Sequence, residues 1–274
     1  MNINKILIAT DFSVESDRAI EHGIKLAGAT NAEIFLLHVV KENKEAERAK
    51  LKMSKQVDGK IGNLTVSSVV RVGNFVSEIG HAAAEVGANL IIMGTHGPKG
   101  LFQTVTGGDA MKVVSHSEKP FIVVQDKGIK DTGYDDILVP LDMTEDSKQK
   151  LDEVADIAKY FNSKVYIIAK FEKDKSLFAK LKNNVHFAKK YFLEKGLELE
   201  IKVSDPKGEA FDNQIIEYAK EIDADLIAII NSLKWNIFGS LFSSRREEEI
   251  ITNTAKIPVL CVNPVDVKSG GYTM

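Results

Sequence analysis

The sequence is short of the features that mark several large classes of protein. Its single cysteine, Cys261, has no partner for an internal disulfide and lies in an apolar run, so we expect it to pack in a core. No apolar run approaches the roughly 20 residues of a membrane-spanning helix, and no N-terminal stretch is typical of a signal peptide. The net charge of −3 offers no general basic surface for nucleic acid. We therefore expect a cytoplasmic protein with neither a membrane nor a nucleic-acid partner.

What the sequence does contain is a duplication of domain size. The segment Lys5–Ser13 (KILIATDFS) returns as Asp136–Thr144 (DILVPLDMT), roughly 131 residues later. A chain of 274 residues with 44% hydrophobic content has enough apolar residues for two cores. The sequence thus predicts two domains, residues 1–128 and 135–266, joined by a linker over Gly128–Tyr134.

Each copy alternates short apolar runs with amphipathic helical segments. The runs are too brief for helices and lack strict polar alternation, which is typical of parallel strands covered on both faces. In the first copy Ser13 can cap a helix that extends to Ala29, and a second helix is predicted over Phe75–Val86. The predicted strands are Ile6–Ala9, Ile34–Val40, Val66–Val72, Leu90–Met93, Phe121–Val124, Ile137–Leu141, Val165–Phe171, Leu199–Val203, Leu226–Ile230 and Val259–Val262. We expect an α/β fold: two doubly wound domains, each with a five-stranded parallel sheet in the order 3-2-1-4-5, flanked by helices.

In such a sheet a ligand binds beyond the carboxyl ends of the first and fourth strands, where the connections diverge. Asp11 follows the first strand, and its carboxylate can accept hydrogen bonds from ribose hydroxyls. Gly94 and Gly97 follow the fourth strand and would let the backbone approach a ligand closely. The pair Gly107–Gly108 precedes a predicted helix, whose N-terminus suits phosphate. Each feature also has a simpler explanation, since Asp11 could cap a helix and the glycine pair could form a turn. Together they predict a crevice that could hold a nucleotide.

Catalytic and metal chemistry receive little support from the sequence. His96 lies in the glycine-containing loop, and we interpret it as a lining residue because no carboxylate spacing marks an orienting partner. The other histidines are scattered without the spacing of metal ligands, so we predict no metal site. The chain also lacks a GxxxxGK[ST] motif for phosphoryl transfer.

These residues resemble the universal stress protein family in its tandem form. The nucleotide-binding pattern of that family is a glycine, two residues, a glycine, nine residues, a glycine, and then serine or threonine. Gly94, Gly97 and Gly107 match this spacing, whereas Gly108 occupies the position of the hydroxyl residue. The resemblance covers almost the whole chain twice.

The resemblance implies a stress-response protein that binds ATP, ADP or AMP, with or without Mg²⁺. It assigns the adenine contact at the end of the second strand to Val39 and a position ending the first strand to Ala9. The implied nucleotide-binding set is Ala9, Asp11, Val39, Met93, Gly94, His96, Gly97, Gly107 and Gly108. It also implies that the fifth strands of the two copies pair within one chain, and a homodimer of such chains is a further expectation.

The second copy diverges at the ligand-binding positions. It keeps the aspartate as Asp142, but Ile230 and Leu233 replace the first two glycines, and Lys170 stands in the place of Val39. Branched side chains would fill the space that a pyrophosphate needs. We therefore expect one nucleotide per chain. A nucleotide-binding regulator is the favoured function, and a slow ATPase and a ligand-free scaffold remain the alternatives.

Overall fold

The computed structural model describes residues 2–95, 113, 119–231 and 244–264, the last range without the side chains of 244–247. Ten strands lie in this part of the chain. They are β1 (Lys5–Ala9), β2 (Glu33–Val40), β3 (Val66–Val72), β4 (Leu90–Gly94), β5 (Phe121–Val124), β6 (Asp136–Leu141), β7 (Lys164–Ala169), β8 (Leu199–Val203), β9 (Leu226–Ile230) and β10 (Val259–Val262). All ten predicted strands are confirmed. The seventh ends two residues earlier than expected, because the amide of Phe171 donates to Ser204 Oγ at 2.8 Å instead of continuing the ladder.

The helices connect these strands in the alternating order expected of the fold. They are α1 (Val14–Thr30), α2 (Ala46–Val57), α3 (Phe75–Val86), α4 (Leu151–Phe161), α5 (Lys175–Glu194), α6 (Phe211–Glu221) and α7 (Ser244–Ile251). None of the helices in the described ranges is long and apolar enough to cross a membrane.

All ten strands belong to one sheet, in the order β3-β2-β1-β4-β5-β10-β9-β6-β7-β8. Each half therefore contributes five strands in the predicted order 3-2-1-4-5, and pairing within each half is parallel. The two halves meet at β5 and β10, which are antiparallel with Leu260 opposite Ile122. The sheet is consequently mixed over its length, although each half is parallel.

Two apolar layers cover the faces of this sheet. One cluster joins α1, α2, α4 and α5 to the strands and includes Met53 and Phe192. The other joins α3, α6 and α7 to the opposite face and includes Cys261, which is fully buried in a core as expected. Because both faces are covered, the central strands are apolar throughout and show no polar alternation.

The predicted linker ends in a residue that is packed in the core. Tyr134 is fully buried, and its ring meets Phe161 edge-on at 5.5 Å between centroids. Its hydroxyl donates to His22 Nδ1 at 2.8 Å, while His22 Nε2 donates to the carbonyl of Lys127 at 3.1 Å. Burial lowers the pKa of His22 to about 4. Lys130 pairs with Asp225 at 2.9 Å, so both apolar and charged contacts fix the chain between the halves.

Candidate functional site

A cleft opens in the first half at the carboxyl ends of β1, β2 and β4, beside the start of α3. The empty space at this place is about 380 Å³ when the part open to solvent is included. Its lining residues are Ala9, Thr10, Asp11, Ser16, His38, Val39, Phe75, Met93 and Gly94. This is the switch point of the half-sheet, since β1 has β2 on one side and β4 on the other.

The turn after β1 holds Asp11 at this cleft. Asp11 Oδ1 accepts from the amide of Ser13 at 3.0 Å and also from the Ser13 hydroxyl. Ser13 in turn caps α1, since its Oγ accepts from the amide of Ser16 at 3.1 Å. Asp11 therefore supports the capping residue and is not the cap. Among the described residues, its second carboxylate oxygen has no hydrogen-bond donor and so can accept from a ligand.

Helix α2 fixes the other side of the same turn. Thr10 Oγ1 lies 2.8 Å from Gln56 Oε1, and Gln56 Nε2 donates to Asp17 Oδ1 at 2.7 Å. The backbone of Phe12 has a φ of +67°, a left-handed conformation that is unusual for an aromatic residue. The amide of Phe12 donates to Thr10 Oγ1 at 3.1 Å, which holds that conformation. The turn is thus rigid before any ligand binds.

Gly94 has a structural role besides lining the cleft. A Cβ atom at this position would lie 2.5 Å from the carbonyl carbon of Glu15 and 2.8 Å from the amide nitrogen of Ser16. Such distances are too short for real contacts, so glycine is what allows the first turn of α1 to lie against the end of β4. The sequence reasoning assigned this glycine to ligand approach alone.

Apolar and aromatic groups form the remaining walls of the cleft. Val39 and Met93 pack in the same apolar cluster as Phe75, at the ends of two strands that flank β1. Across the turn, the rings of Phe12 and His38 are 4.5 Å apart between centroids. The described lining contains one carboxylate and no lysine or arginine. These walls suit a flat, apolar ring system, with the carboxylate placed for hydroxyl groups.

The buried hydroxyl next to Gly94 has no partner among the residues that the structure describes. Thr95 is 1% exposed, and its Oγ1 makes no hydrogen bond to them, whereas its counterpart in the second half, Asn231, donates to Asn263 Oδ1 at 2.6 Å. An unpaired buried hydroxyl costs roughly 1–3 kcal/mol, and such groups are uncommon in folded proteins.

In the second half the side chains around the corresponding turn differ. Asp142 repeats the turn, accepting from the amide of Thr144 at 2.8 Å, but its side chain is buried. Asn184 of α5 donates to the carbonyls of Asp142 and Thr144, each at 2.8 Å. Leu141 and Ala169 stand where the first half has Thr10 and His38. Two polar residues of the first cleft, Thr10 and His38, therefore have no polar equivalent here.

A buried lysine lies under the same turn. Lys150 is 2% exposed, and its Nζ donates to the carbonyl of Pro140 at 2.5 Å. Burial lowers its pKa to about 8, and nearby Asp142 partly opposes that shift. Its equivalent in the first half is Ala19.

The start of the following helix also differs. Helix α1 begins at Val14, whereas α4 begins at Leu151 after a short 3₁₀ turn over Asp146–Lys148. Ile230 takes the place of Gly94 at the end of β9. A side chain at the position of Gly94 would collide with the first turn of α1. The later start of α4 is consistent with the presence of Ile230 at the equivalent position.

Five of the nine predicted site residues line the cleft. The structure brings together Ala9, Asp11, Val39, Met93 and Gly94. The other four, His96, Gly97, Gly107 and Gly108, lie outside the described residues, as do Leu233 and most of the loop that contains it. Within the described ranges, no three or more His, Cys, Asp or Glu side chains are grouped to hold a metal ion.

Sequence reasoning missed three contributors to the site. The pattern singled out His38 only as a possible metal ligand and Phe75 only as the start of a helix, and it gave Gln56 no role. His38 precedes Val39 and so was the easiest to find. Gln56 carried no signal, because its contact with Thr10 joins residues from separate elements.

Comparison with known proteins finds a family match in the first half of the chain. Residues 2–125 match the model of the universal stress protein family. A universal stress protein of Methanocaldococcus jannaschii is 29% identical over 154 residues, which cover 45% of this chain and 95% of that protein.

Similarity in structure extends over the full length. The crystal structure of a universal stress protein from Archaeoglobus fulgidus has a TM-score of 0.73 at 16% identity, covering 97% of this chain and 98% of that one. A putative universal stress protein from Pseudomonas aeruginosa has a TM-score of 0.67 at 17% identity, covering 96% and 94%. At these identities the likeness concerns the fold alone.

Proposed function

We propose that this chain, which belongs to the universal stress protein family, is a stress-response regulator that binds an adenine nucleotide in its first half. The ligand would be ATP, ADP or AMP. It would lie across the switch point, with its ribose at Asp11 and its phosphates toward the loop that follows Gly94. Its binding would change the partners of the protein or the shape of that loop.

The observation that carries this proposal is the state of Asp11. One carboxylate oxygen is held by Ser13, and the other is unpaired among the described residues at the mouth of a cleft with apolar walls. A carboxylate fixed in this way is preorganised to accept from the hydroxyls of a sugar, since no side chain must reorient when the ligand arrives. The family match covers the same half as the cleft.

The residues present fit the proposed ligand in two further respects. The buried hydroxyl of Thr95, which has no partner in the described part of the chain, adjoins the cleft residue Gly94. The sequence after it supplies Gly97 and Gly107 at the spacing of the family's phosphate-binding pattern. Mg²⁺ would be held by the phosphates and water rather than by the described residues, because Asp11 is the one carboxylate in their lining.

Stoichiometry tests the proposal directly. Titration of the full chain with ATP, ADP and AMP by calorimetry is expected to give about one site per chain, and native mass spectrometry of the freshly purified protein is expected to detect at most one bound nucleotide. Two equivalent sites would contradict the division of roles between the halves. Failure of all three nucleotides to bind would favour the ligand-free scaffold.

The slow ATPase has no specific support among the described residues. Phosphoryl transfer requires charge clamps and a positioned water, and the described lining has neither lysine nor arginine. A turnover well above background, abolished together with nucleotide binding in Asp11→Ala, would establish it in place of a pure binding role.

A further inference from the structure

The longest of the described helices, α5, carries a basic surface that the proposed function does not use. Residues 173–195, which include α5, contain seven lysines and two carboxylates, so their net charge is +5 in a chain whose net charge is −3. The inner side of the helix is buried in the core through Asn184, Ala188 and Phe192. All seven lysines are exposed. The basic side of this helix therefore faces solvent.

Most of these lysines have no carboxylate partner. Within the described part of the chain, Lys190 alone of the seven forms an ion pair, with Glu194 at 3.8 Å. The lysines on the opposite face of the same half-sheet are paired at distances between 2.6 and 2.9 Å: Lys164 with Glu200, Lys202 with Glu221 and Lys220 with Glu217. The fold thus neutralises the charge on that face but leaves the charge of α5 available to an acidic partner.

Three of the lysines form a line along the helix. Lys175, Lys182 and Lys189 are seven residues apart, close to two helical turns, so they share one side of α5 at intervals of about 10 Å. Two apolar side chains lie on this side, Phe178 with 39% of its surface exposed and Leu193 with 53%. Lys182 Nζ lies 6.0 Å from the centre of the Phe178 ring, so the two side chains are neighbours. We call these five residues the basic stripe.

The composition of the basic stripe favours a lipid surface over other acidic partners. Residues 173–195 contain no arginine, the residue best suited to bidentate recognition of carboxylates and nucleic-acid phosphates, whereas lysine acts as a point charge. Exposed Phe and Leu beside lysines are typical of helices at a membrane interface, where apolar side chains meet the acyl chains and ammonium groups meet the headgroups. Single-stranded nucleic acid could stack on Phe178 but gains nothing from Leu193.

We propose that the basic stripe binds peripherally to membranes that are rich in anionic lipids. The net charge of −3, from which we expected no membrane partner, belongs to the whole chain. Charges more than about 10 Å away are largely screened at 0.1 M salt, so the local charge of α5 governs its contacts. This inference goes beyond nucleotide binding and does not depend on it, because the stripe belongs to the second half and the cleft to the first.

Co-sedimentation of the full chain with lipid vesicles tests the proposal. The wild-type chain should bind vesicles of phosphatidylcholine that contain roughly one-third phosphatidylserine, and added salt should weaken this binding. Vesicles of phosphatidylcholine alone should bind it far more weakly. Combining Lys175→Gln, Lys182→Gln and Lys189→Gln should lower the partition coefficient about 100-fold, at about fivefold per lysine.

Two further variants separate the stripe from overall charge. The control combines Lys164→Gln, Lys202→Gln and Lys220→Gln, which change the net charge equally but lie on the opposite face, and it should bind within about twofold of the wild type. Combining Phe178→Ser with Leu193→Ser should weaken binding about tenfold while leaving its salt dependence unchanged, because the lost contact is apolar. The thermal transition of each variant verifies its folding.

Several results would overturn the proposal. These are no binding of the wild-type chain to the anionic vesicles, equal binding to phosphatidylcholine alone, or equal losses in the two triple variants. Unchanged vesicle binding after Phe178→Ser and Leu193→Ser would also contradict it. Binding of polyuridylate or polyglutamate through the same lysines, without vesicle binding, would assign the stripe to a nucleic acid or an acidic protein instead. If the α5 triple variant does not fold, its three substitutions made singly provide the test, and the absence of a loss of about fivefold in each would refute the proposal.

Discussion

The two halves share a backbone plan but differ in what fills the end of the sheet. In the first half Asp11 borders an open cleft with Thr10 and His38. In the second half Asp142 is buried, and its carbonyl accepts a hydrogen bond from Asn184. The turn itself is nearly the same in both, with a carboxylate oxygen accepting from the second residue after it. The comparison shows that the aspartate serves the turn in either half, and that in the first half it also lines a cleft.

The largest expected effect concerns the buried lysine of the second half. The pKa of Lys150 is about 8 in the folded state, below that of an unfolded lysine, so its buried charge opposes folding at neutral pH. The folded protein therefore becomes more stable as pH rises from about 8 to about 10.5. Lys150→Met should remove that rise and stabilise the chain at pH 7 by about 3 kcal/mol, less any loss of packing. Urea unfolding at pH 7 and pH 10 measures both. A Lys150→Met chain as pH-dependent as the wild type would contradict this origin.

The next effect separates the two aspartates. Asp11→Ala should weaken nucleotide binding by about 1.5–3 kcal/mol, the range for a hydrogen bond to a charged group. Asp142→Ala should leave it nearly unchanged, although it should lower stability because Asp142 is buried. Calorimetric titration of both variants makes the comparison. Equal losses of affinity would mean that the second half also binds.

A smaller effect tests the close approach at the end of β4. Gly94→Ala would place a methyl group against the backbone of Glu15 and should destabilise the chain by about 1–3 kcal/mol, because the first turn of α1 must move. Gly28→Ala, in α1, is the control, because its added methyl group meets open space. This substitution should leave the free energy of unfolding unchanged or raise it. Denaturant unfolding compares the two. A Gly94→Ala variant as stable as the wild type would show that the turn adapts freely.

The smallest effect concerns the segment between the halves. Tyr134→Phe keeps the ring against Phe161 but removes the donor to His22, and it should cost about 1 kcal/mol. Tyr160→Phe, a partly exposed tyrosine on α4, should change stability by less than about 0.5 kcal/mol. The free energies of unfolding decide between a packed segment and a passive linker.

The sequence predicted the strands and their order because parallel strands buried on both faces are continuous apolar runs. It did not predict that Tyr134 is in the core, since a single aromatic residue among polar neighbours has no periodicity. Nor did it predict the steric role of Gly94 or the later start of α4. Both depend on how closely a strand end approaches a helix, which is a property of the packed structure and not of either segment.

The part of the site that the sequence predicted lies at the ends of neighbouring strands. Asp11 and Gly94 could be placed together because the ends of β1 and β4 meet at the switch point, whereas Val39 was assigned by the family resemblance. The contacts of Gln56 with Thr10 and of His38 with the carbonyl of Thr10 depend on side-chain conformations that the sequence pattern does not encode.

The antiparallel pairing of β5 with β10 has a consequence for how this protein can change over generations. In a dimer of identical chains, any heritable substitution appears in both subunits, so a mutation that closes one site closes both. Here the two halves occupy one sheet but are encoded separately. One half can therefore accumulate substitutions such as Lys150 and Ile230 while continuing to support its neighbour, which remains free to keep its cleft.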